Sequence, residues 1–220
     1  MALIINDPPE ARLSEAELAP WRAIPPAIVA DELNRAGAMS GAIKPVAPGM
    51  AFVGQALTVQ AMVGDNSALH YALTVAWPGA VLVADARGHA DTAVWGAVMM
   101  ASAKQRGIAG VVIDGAVRDI AELRQSSIAV FARGAAPGGP HKGWGGGVNA
   151  PIQCAGVAVN PGDLVLGDDD GVVVVGAGAM AGLFDRCKAR MAKEEVTLER
   201  IAAGATTVEA LGMPPADEIG

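Results

Sequence analysis

The alternation of short apolar runs with helical patterns in the middle of the chain constrains the fold most. Three apolar runs are short enough to be strands: PGAVLVAD, IAGVVIDG and IAVFARG. The segments between them, DTAVWGAVMMASAKQRG and RDIAELRQS, have the pattern of helices, and Gly107 ends the first of these. Strands that alternate with helices in this way indicate β–α units and a partly parallel sheet.

The sequence before this unit predicts an irregular arm, a helix, a strand and a second helix. The Pro-Pro pair of IPP suits the entry of a helix over AIVADELNRAG that closes on Gly37. GMAFVGQALTVQAMV predicts a strand interrupted by Gly54. GDNSALHYALTVA predicts a helix whose first turn is capped by one of its leading polar side chains.

The rest of the chain predicts a glycine-rich loop, several short strands and a terminal helix. The loop covers residues 134–147, and the turns NPGD and DDDG separate the strands that follow it. An amphipathic helix from about residue 179 to 203 could pack on a neighbouring subunit. The strands after Asn149 are too short for a second core, so residues 1–220 are predicted to form one α/β domain of mixed layers, with its core at about 27–176.

Composition excludes some classes of function. The formal charge of −7 argues against non-specific nucleic-acid binding. Cys154 and Cys187 match no metal or disulfide spacing and are expected to be buried thiols in a reducing compartment. The sequence has no signal peptide and no apolar run of about 20 residues, so we expect a cytoplasmic protein that binds no membrane.

Arg118 and Asp119 are the first candidates for chemistry. An adjacent Arg-Asp pair is most often a surface ion pair or a helix cap. This pair, however, follows an apolar strand at its carboxyl end, where α/β folds place their ligands, and Gly115 lets the turn come close to a ligand. Arginine can hydrogen-bond a carbonyl or enolate oxygen while the carboxylate holds a divalent cation.

Other polar groups point less clearly to a site. Asp85 and the GDN at 64–66 are more often turn or cap residues, and DDDG at 168–171 is expected to be a solvated turn. The three histidines are scattered and predict no zinc site. His141 and Lys142 lie in the glycine-rich loop, where contact with substrate and a plain surface position are equally open.

Four segments in their order and spacing carry a family resemblance: GDNSALHYAL, PGAVLVAD, KQRGIAGVVIDGAVRD and NAPIQCAGVAVNPGDLVLGDDDGVVVV. The chain resembles the 4-hydroxy-4-methyl-2-oxoglutarate / 4-carboxy-4-hydroxy-2-oxoadipate aldolases, which share a fold with the regulator of ribonuclease activity A. The resemblance covers residues 27–175. It implies a mixed β/β/α layered domain like the swivelling phosphohistidine domains, with a C-terminal helical arm.

The resemblance implies a class II pyruvate aldolase that uses Mg²⁺ or Mn²⁺. Asp119 matches the one direct metal ligand, and Arg118 matches the arginine that steadies the keto oxygen as it becomes an enolate. The substrate carboxylate would lie at the helix start formed by Gly96, Ala97, Val98 and Met99, where free N–H groups attract an anion. The substrate would be a small 2-keto acid, which the enzyme cleaves by a retro-aldol reaction or, if it is oxaloacetate, decarboxylates.

The chain departs from the family pattern at one position. The family places an acidic residue, then twenty others, before Arg-Asp, and that acidic residue is replaced here by Ala97. Its loss should weaken metal binding or proton transfer. Asp65, Asp85 and Asp91 are the candidates that could reach the same metal-bound water instead.

The resemblance also implies that the site is shared between subunits. Members of the fold are homotrimers, or homohexamers built from trimers. A glutamate from the neighbouring subunit's C-terminal helix completes the site, and Glu194 and Glu195 are both candidates.

Two interpretations of a different kind compete with the lyase. A non-catalytic regulatory protein of the same fold, acting on a ribonuclease, is favoured by Ala97 and opposed by the intact Arg118-Asp119 pair. An altered enzyme could act on another keto or hydroxy acid. A methyltransferase is discounted because no S-adenosylmethionine motif is present.

Overall fold

The computed structural model describes residues 2–143 and 145–216 and confirms the layered α/β fold. The strands are β1 (Leu3–Ile5), β2 (Lys44–Pro45), β3 (Phe52–Ala61), β4 (Ala80–Asp85), β5 (Ala93–Trp95), β6 (Gly110–Val117), β7 (Ala129–Ala135), β8 (Gly146–Val148), β9 (Ile152–Cys154), β10 (Val157–Val159), β11 (Leu164–Asp168) and β12 (Gly171–Val175). The helices are α1 (Glu15–Leu18), α2 (Pro26–Glu32), α3 (Ser67–Val75), α4 (Ala97–Arg106), α5 (Ile120–Arg124), α6 (Leu183–Ala202) and α7 (Thr207–Leu211).

Four parallel strands form the centre of the main sheet, in the order β3, β4, β6 and β7. Every residue of β4 and β6 is buried, as expected of parallel strands that are covered on both faces. The parallel register brings the carboxyl ends of β4 and β6 together, with Asp85 opposite Asp114. The strand predictions in this unit are therefore confirmed.

Layers on both faces cover this sheet. Helices α3, α4 and α5 cover one face, where Leu69, Met99 and Leu123 pack in one apolar cluster with the strands. The β9–β10 hairpin covers the other face, with Phe131 of β7 and Cys154 in a second cluster. A third cluster joins α2 and α6 to β11 and β12, so the C-terminal helix is anchored to the domain at its start.

Strand β3 has two partners on its outer edge. Its first half pairs with β11 and its second half with β8, both antiparallel. Strand β1 adds to β8 in parallel, with Leu3 opposite Gly146. The prediction of an irregular amino-terminal arm is therefore wrong at β1 and at α1, and the glycine-rich segment 134–147 includes the ends of two strands. A strand of three residues depends on its distant partner and leaves little local signal.

Three element boundaries also differ from prediction. The helix predicted over residues 91–107 begins only at Ala97, because the segment before it is β5, which pairs with the end of β6. Helix α2 ends at Glu32 rather than near Gly37, since Asn34 and Arg35 have positive φ angles. The terminal helix runs from Leu183 to Ala202.

Both cysteines are unpaired and buried, as predicted. Burial is the largest cause that raises the pKa of each thiol, so both remain protonated near neutral pH. In the parts of the chain that the structure describes, no helix combines the length and the apolar character needed to cross a membrane.

Gly54 lies inside β3 instead of interrupting it. A Cβ atom there would lie 2.3 Å from the Gly79 carbonyl oxygen and 2.9 Å from Val81 Cγ2. The close approach of the turn before β4 explains the glycine.

We predict that Gly54→Ala lowers the free energy of unfolding by about 1–3 kcal/mol, because the added methyl group must displace backbone. Gly41→Ala is the matched control, since a Cβ at Gly41 meets nothing within 4 Å. Urea denaturation measures both. Equal stability of the two variants would contradict the close approach.

Candidate active site

A pocket of about 120 Å³ lies where the end of β6, the start of α4 and the start of α3 meet the glycine-rich segment. This volume is well below the roughly 300–1,000 Å³ of pockets for drug-sized ligands, so the ligand it suits is small. The polar side chains that line it are those of Asn66, His70, Trp95, Arg118, Asp119 and Lys142.

Arg118 and Asp119 are held in place by the strand and helix on either side. The Arg118 N–H donates to the Trp95 carbonyl oxygen at 2.9 Å, which extends the pairing of β5 with β6. Asp119 precedes α5 with φ 59°, in the left-handed region. Its Oδ2 accepts a hydrogen bond from the Ala97 N–H at 2.9 Å and lies 3.8 Å from Arg118 Nε. The Asp119 carboxylate therefore joins the end of β6 to the start of α4.

Two glycines make room for this pair. A Cβ at Gly96 would lie 2.6 Å from Asp119 Oδ2 and 3.1 Å from Arg118 Cγ. A Cβ at Gly139 would lie 2.7 Å from a guanidinium nitrogen of Arg118. The arginine side chain thus passes between two segments that have no side chains of their own at these positions.

The helix start predicted at residues 96–99 lies beside the pair. Gly96 is the N-cap of α4, and Ala97 is its first residue. The first hydrogen bond of the helix runs from the Met100 N–H to the Gly96 carbonyl oxygen. The N–H groups of Val98 and Met99 lie before it and therefore have no acceptor within the helix. With the Ala97 N–H bonded to Asp119, these two N–H groups remain for an anion. Their role toward a substrate carboxylate stays a prediction.

The glycine-rich segment is tied to the start of α3. The buried Asp65 carboxylate accepts from the Gly143 N–H at 2.9 Å and from the Ser67 N–H at 2.8 Å. The His141 N–H donates to the Gly64 carbonyl at 2.8 Å, and the Asn66 N–H donates to the His141 carbonyl at 3.1 Å. These bonds place Lys142 at the pocket.

Three side chains in the pocket carry buried polar atoms without a hydrogen-bond partner among the described residues. They are Asn66 Oδ1, His70 Nε2 and Trp95 Nε1. Burial is the largest cause that lowers the pKa of His70, Lys142 lowers it further and Asp65 opposes both, so the ring is neutral near pH 7.

The sequence pattern predicts a site role for none of these three residues. Asn66 is a possible helix cap in that pattern, and Trp95 lies in a segment with the pattern of a helix. The spacing of Asn66 and His70 was the available signal, because residues four apart on a helix share one face.

The other predicted residues lie elsewhere within one protomer. Glu194 and Glu195 are on α6, where they line a separate apolar groove against the segment before α2. The hypothesis that one of them reaches a neighbouring subunit's site therefore stays a prediction. Asp65, Asp85 and Asp91 do not line the pocket, and the hypothesis that one of them reaches the metal-bound water in place of the carboxylate missing at Ala97 stays a prediction.

The donor set fits a divalent cation that takes most of its ligands from water and substrate. Among the described residues no cluster of three or more His, Cys, Asp or Glu could enclose an ion. Asp119 nevertheless offers one carboxylate, and Mg²⁺ is commonly bound by one or two carboxylates plus substrate oxygens and water. The unpartnered Asn66 Oδ1 is an acceptor for such a water.

Comparisons with known proteins place the chain in a family. The family model described as RraA-like, aldolase/RraA, matches residues 26–174. A protein of Halalkalibacterium halodurans, provisionally named a 4-hydroxy-4-methyl-2-oxoglutarate aldolase, is 36% identical over 201 residues, which are 90% of this chain and 96% of the relative.

Solved structures show the same fold. A protein from Pseudomonas syringae superposes with a TM-score of 0.78 at 29% identity, over 91% of this chain and 99% of the other. The RNA-processing inhibitor RraA from Thermus thermophilus has a TM-score of 0.63 at 32% identity, over 69% and 92%. The RraA-like family thus contains both aldolases and inhibitors of RNA processing.

We predict that Asp65→Ala frees the glycine-rich segment from α3. The variant leaves the buried N–H of Ser67 and the N–H of Gly143 without their carboxylate acceptor, which costs about 1.5–3 kcal/mol for a hydrogen bond to a charged group. Hydrogen exchange should become faster at residues 141–143. The exposed Asp91→Ala is the control, and unchanged exchange in Asp65→Ala would rule out this attachment.

Proposed function

Because the chain belongs to the RraA-like, aldolase/RraA family, we propose that it is a divalent-metal-dependent lyase acting on small 2-keto acids. It cleaves a 4-hydroxy-2-oxo acid to pyruvate and a second carbonyl compound, or decarboxylates oxaloacetate, through an enolate. The observation that carries the proposal is the position of Arg118 and Asp119 together on a small pocket beside the start of α4.

The charges at the pocket favour a small anion. Arg118 and Lys142 bring two positive charges against the single carboxylate of Asp119, among the described residues that line it. The N–H groups of Val98 and Met99 add the positive end of the α4 dipole. A keto acid with one or two carboxylates matches this balance of charge.

Mg²⁺ or Mn²⁺, held by Asp119, would act as a Lewis acid that polarises the keto group. Arg118 acts on the same oxygen by hydrogen bonding. Negative charge grows there as the carbon–carbon bond breaks, and a donor that is already in position stabilises it without reorganisation. Gly96 and Gly139 keep the guanidinium in place by leaving it room.

Assembly would complete the site. Position 97 carries no carboxylate, so a second acid must come from outside the pocket of one protomer. In the proposed homotrimer or homohexamer, Glu194 or Glu195 of a neighbouring copy supplies it.

A regulatory role is the second candidate, and one observation favours it. Asp119 Oδ2 already accepts the Ala97 N–H, as a carboxylate does when it only stabilises a helix start. The similar protein from Thermus thermophilus is an RNA-processing inhibitor. A protein of this kind would bind a protein partner and turn over no keto acid.

We predict that the wild-type protein converts oxaloacetate to pyruvate with Mn²⁺ or Mg²⁺, and that EDTA abolishes this turnover. Asp119→Asn keeps an oxygen for the Ala97 N–H but removes the charge that holds the cation. Its kcat/KM should fall at least about 100-fold, while its thermal midpoint changes little. Pyruvate release measures the first, and calorimetry the second.

Asp91→Asn is the matched control for this substitution, because Asp91 is exposed and lies outside the pocket. Metal-independent turnover, or full activity in Asp119→Asn, would refute metal-dependent chemistry at Asp119. Tight binding to a ribonuclease with no turnover on any keto acid would favour the regulator.

Arg118→Ala should reduce the rate far more than it reduces stability. The side chain is 42% exposed and its contact with Asp119 is 3.8 Å long, so the ion pair contributes at most about 1 kcal/mol to folding. Loss of a transition-state donor costs about 100- to 1,000-fold in kcat. Arg22→Ala, which breaks an exposed ion pair with Glu15, is the control. Collapse of the fold in Arg118→Ala alone would identify a structural pair instead.

A further inference from the structure

The wall of the pocket formed by Asn66, His70 and Trp95 carries three buried polar atoms, and those of His70 and Trp95 have no part in the chemistry described above. Asn66 is 5% exposed and Trp95 is 1% exposed, yet Asn66 Oδ1 and Trp95 Nε1 have no partner among the described residues. His70 is half-buried, and its buried Nε2 atom also has no hydrogen-bond partner among the described residues. A buried polar atom left without a partner costs about 1–3 kcal/mol, so three in one small pocket call for a ligand.

Each atom has a defined chemical character. The indole N–H of Trp95 only donates. The amide nitrogen of Asn66 already donates to the Val94 carbonyl oxygen at 3.1 Å and lies 3.4 Å from Met99 Sδ, which leaves Oδ1 as an acceptor. The neutral His70 ring presents Nε2.

A hydroxyl group satisfies the atoms of Trp95 and His70. It accepts from the indole N–H and donates its single proton to Nε2 of the Nδ1–H tautomer of His70, whereas a carboxylate only accepts and would meet Nε2 with no proton between them. Asn66 Oδ1 remains an acceptor for water beside the hydroxyl. An ammonium group only donates and would leave the Trp95 N–H unmatched. A hydroxyl also lies within a few bonds of the keto group in the proposed substrate class.

We infer that His70 and Trp95 form a subsite for the 4-hydroxyl group of a 4-hydroxy-2-oxo acid, with His70 Nε2 taking the hydroxyl proton during cleavage. This inference rests on the proposed function. It assigns to this chain's own imidazole the base that the proposed mechanism lacks within one protomer, where position 97 is alanine.

The step balances without any further reactant. The hydroxyl proton moves to His70 Nε2, the C4–O electrons form a carbonyl, and the C3–C4 bond breaks. Its electron pair enters the enolate of pyruvate, whose oxygen faces Arg118. A water molecule then protonates C3 to give pyruvate, and the imidazolium returns its proton to the resulting hydroxide, so no proton is gained or lost overall.

The inference is tested by comparing two substrates on the same protein. A 4-hydroxy-2-oxo acid carries the hydroxyl, and oxaloacetate does not. His70→Leu should lower kcat for retro-aldol cleavage about 100-fold, the contribution of a general base. The loss for oxaloacetate decarboxylation, which needs no base on a hydroxyl, should be at least about tenfold smaller than the loss for cleavage.

Two further variants separate binding from proton transfer. Trp95→Phe should raise KM for the hydroxy acid about tenfold, the effect of one lost hydrogen bond, with a smaller change in kcat. Trp77→Phe is the matched control, because Trp77 is buried in the same apolar cluster and does not line the pocket. His70→Gln keeps a hydrogen bond to the hydroxyl but cannot take its proton. Its KM should therefore be close to the wild-type KM, while its kcat stays as low as that of His70→Leu.

Equal losses on both substrates would overturn the inference and leave the lyase intact, as would unchanged cleavage in His70→Leu. Wild-type protein inactive on both substrates would refute the lyase, and the subsite is then tested by binding. With Mg²⁺ present, the Trp95 indole N–H resonance, assigned with Trp95→Phe, should shift on adding the hydroxy acid and not on adding pyruvate. An unmoved resonance would show that the subsite holds water only.

Discussion

The hydrogen bond from the Ala97 N–H to Asp119 Oδ2 is the interaction on which the candidate site depends. It joins the end of a buried parallel strand to the first turn of the helix that precedes that strand in the chain. The left-handed backbone at Asp119 and the absent side chain at Gly96 are both needed to form it at 2.9 Å. With this bond in place, Arg118 and two free N–H groups of α4 come to the same pocket.

The same carboxylate serves structure and, in the proposed enzyme, chemistry. A carboxylate that already accepts one backbone N–H has less charge to offer a cation, yet it is held in one orientation before the ion arrives. A family that contains both aldolases and inhibitors of RNA processing is understandable on this basis. The same cap would serve a non-catalytic protein, whereas catalysis needs the rest of the pocket as well.

The sequence was sufficient for the parts of the fold that depend on local pattern. Strands β4 and β6 were predicted because long apolar runs are buried on both faces, and the Arg118-Asp119 pair was singled out because it follows such a run. Strands β1 and β5 were missed because three residues pair only through distant partners. The unsatisfied atoms of His70 and Trp95 could not be foreseen, since satisfaction depends on every neighbour in space.

The attachment of the glycine-rich segment through Asp65 also determines how a ligand meets the site. Its backbone is bonded at Gly143 and at His141 to the residues that begin α3, and Asn66, just before this helix, and His70, within it, line the same pocket. These hydrogen bonds thus join two sides of the pocket to each other. In the proposed enzyme, a small acid would be selected by its fit to a pocket that is already formed, with little rearrangement after it binds.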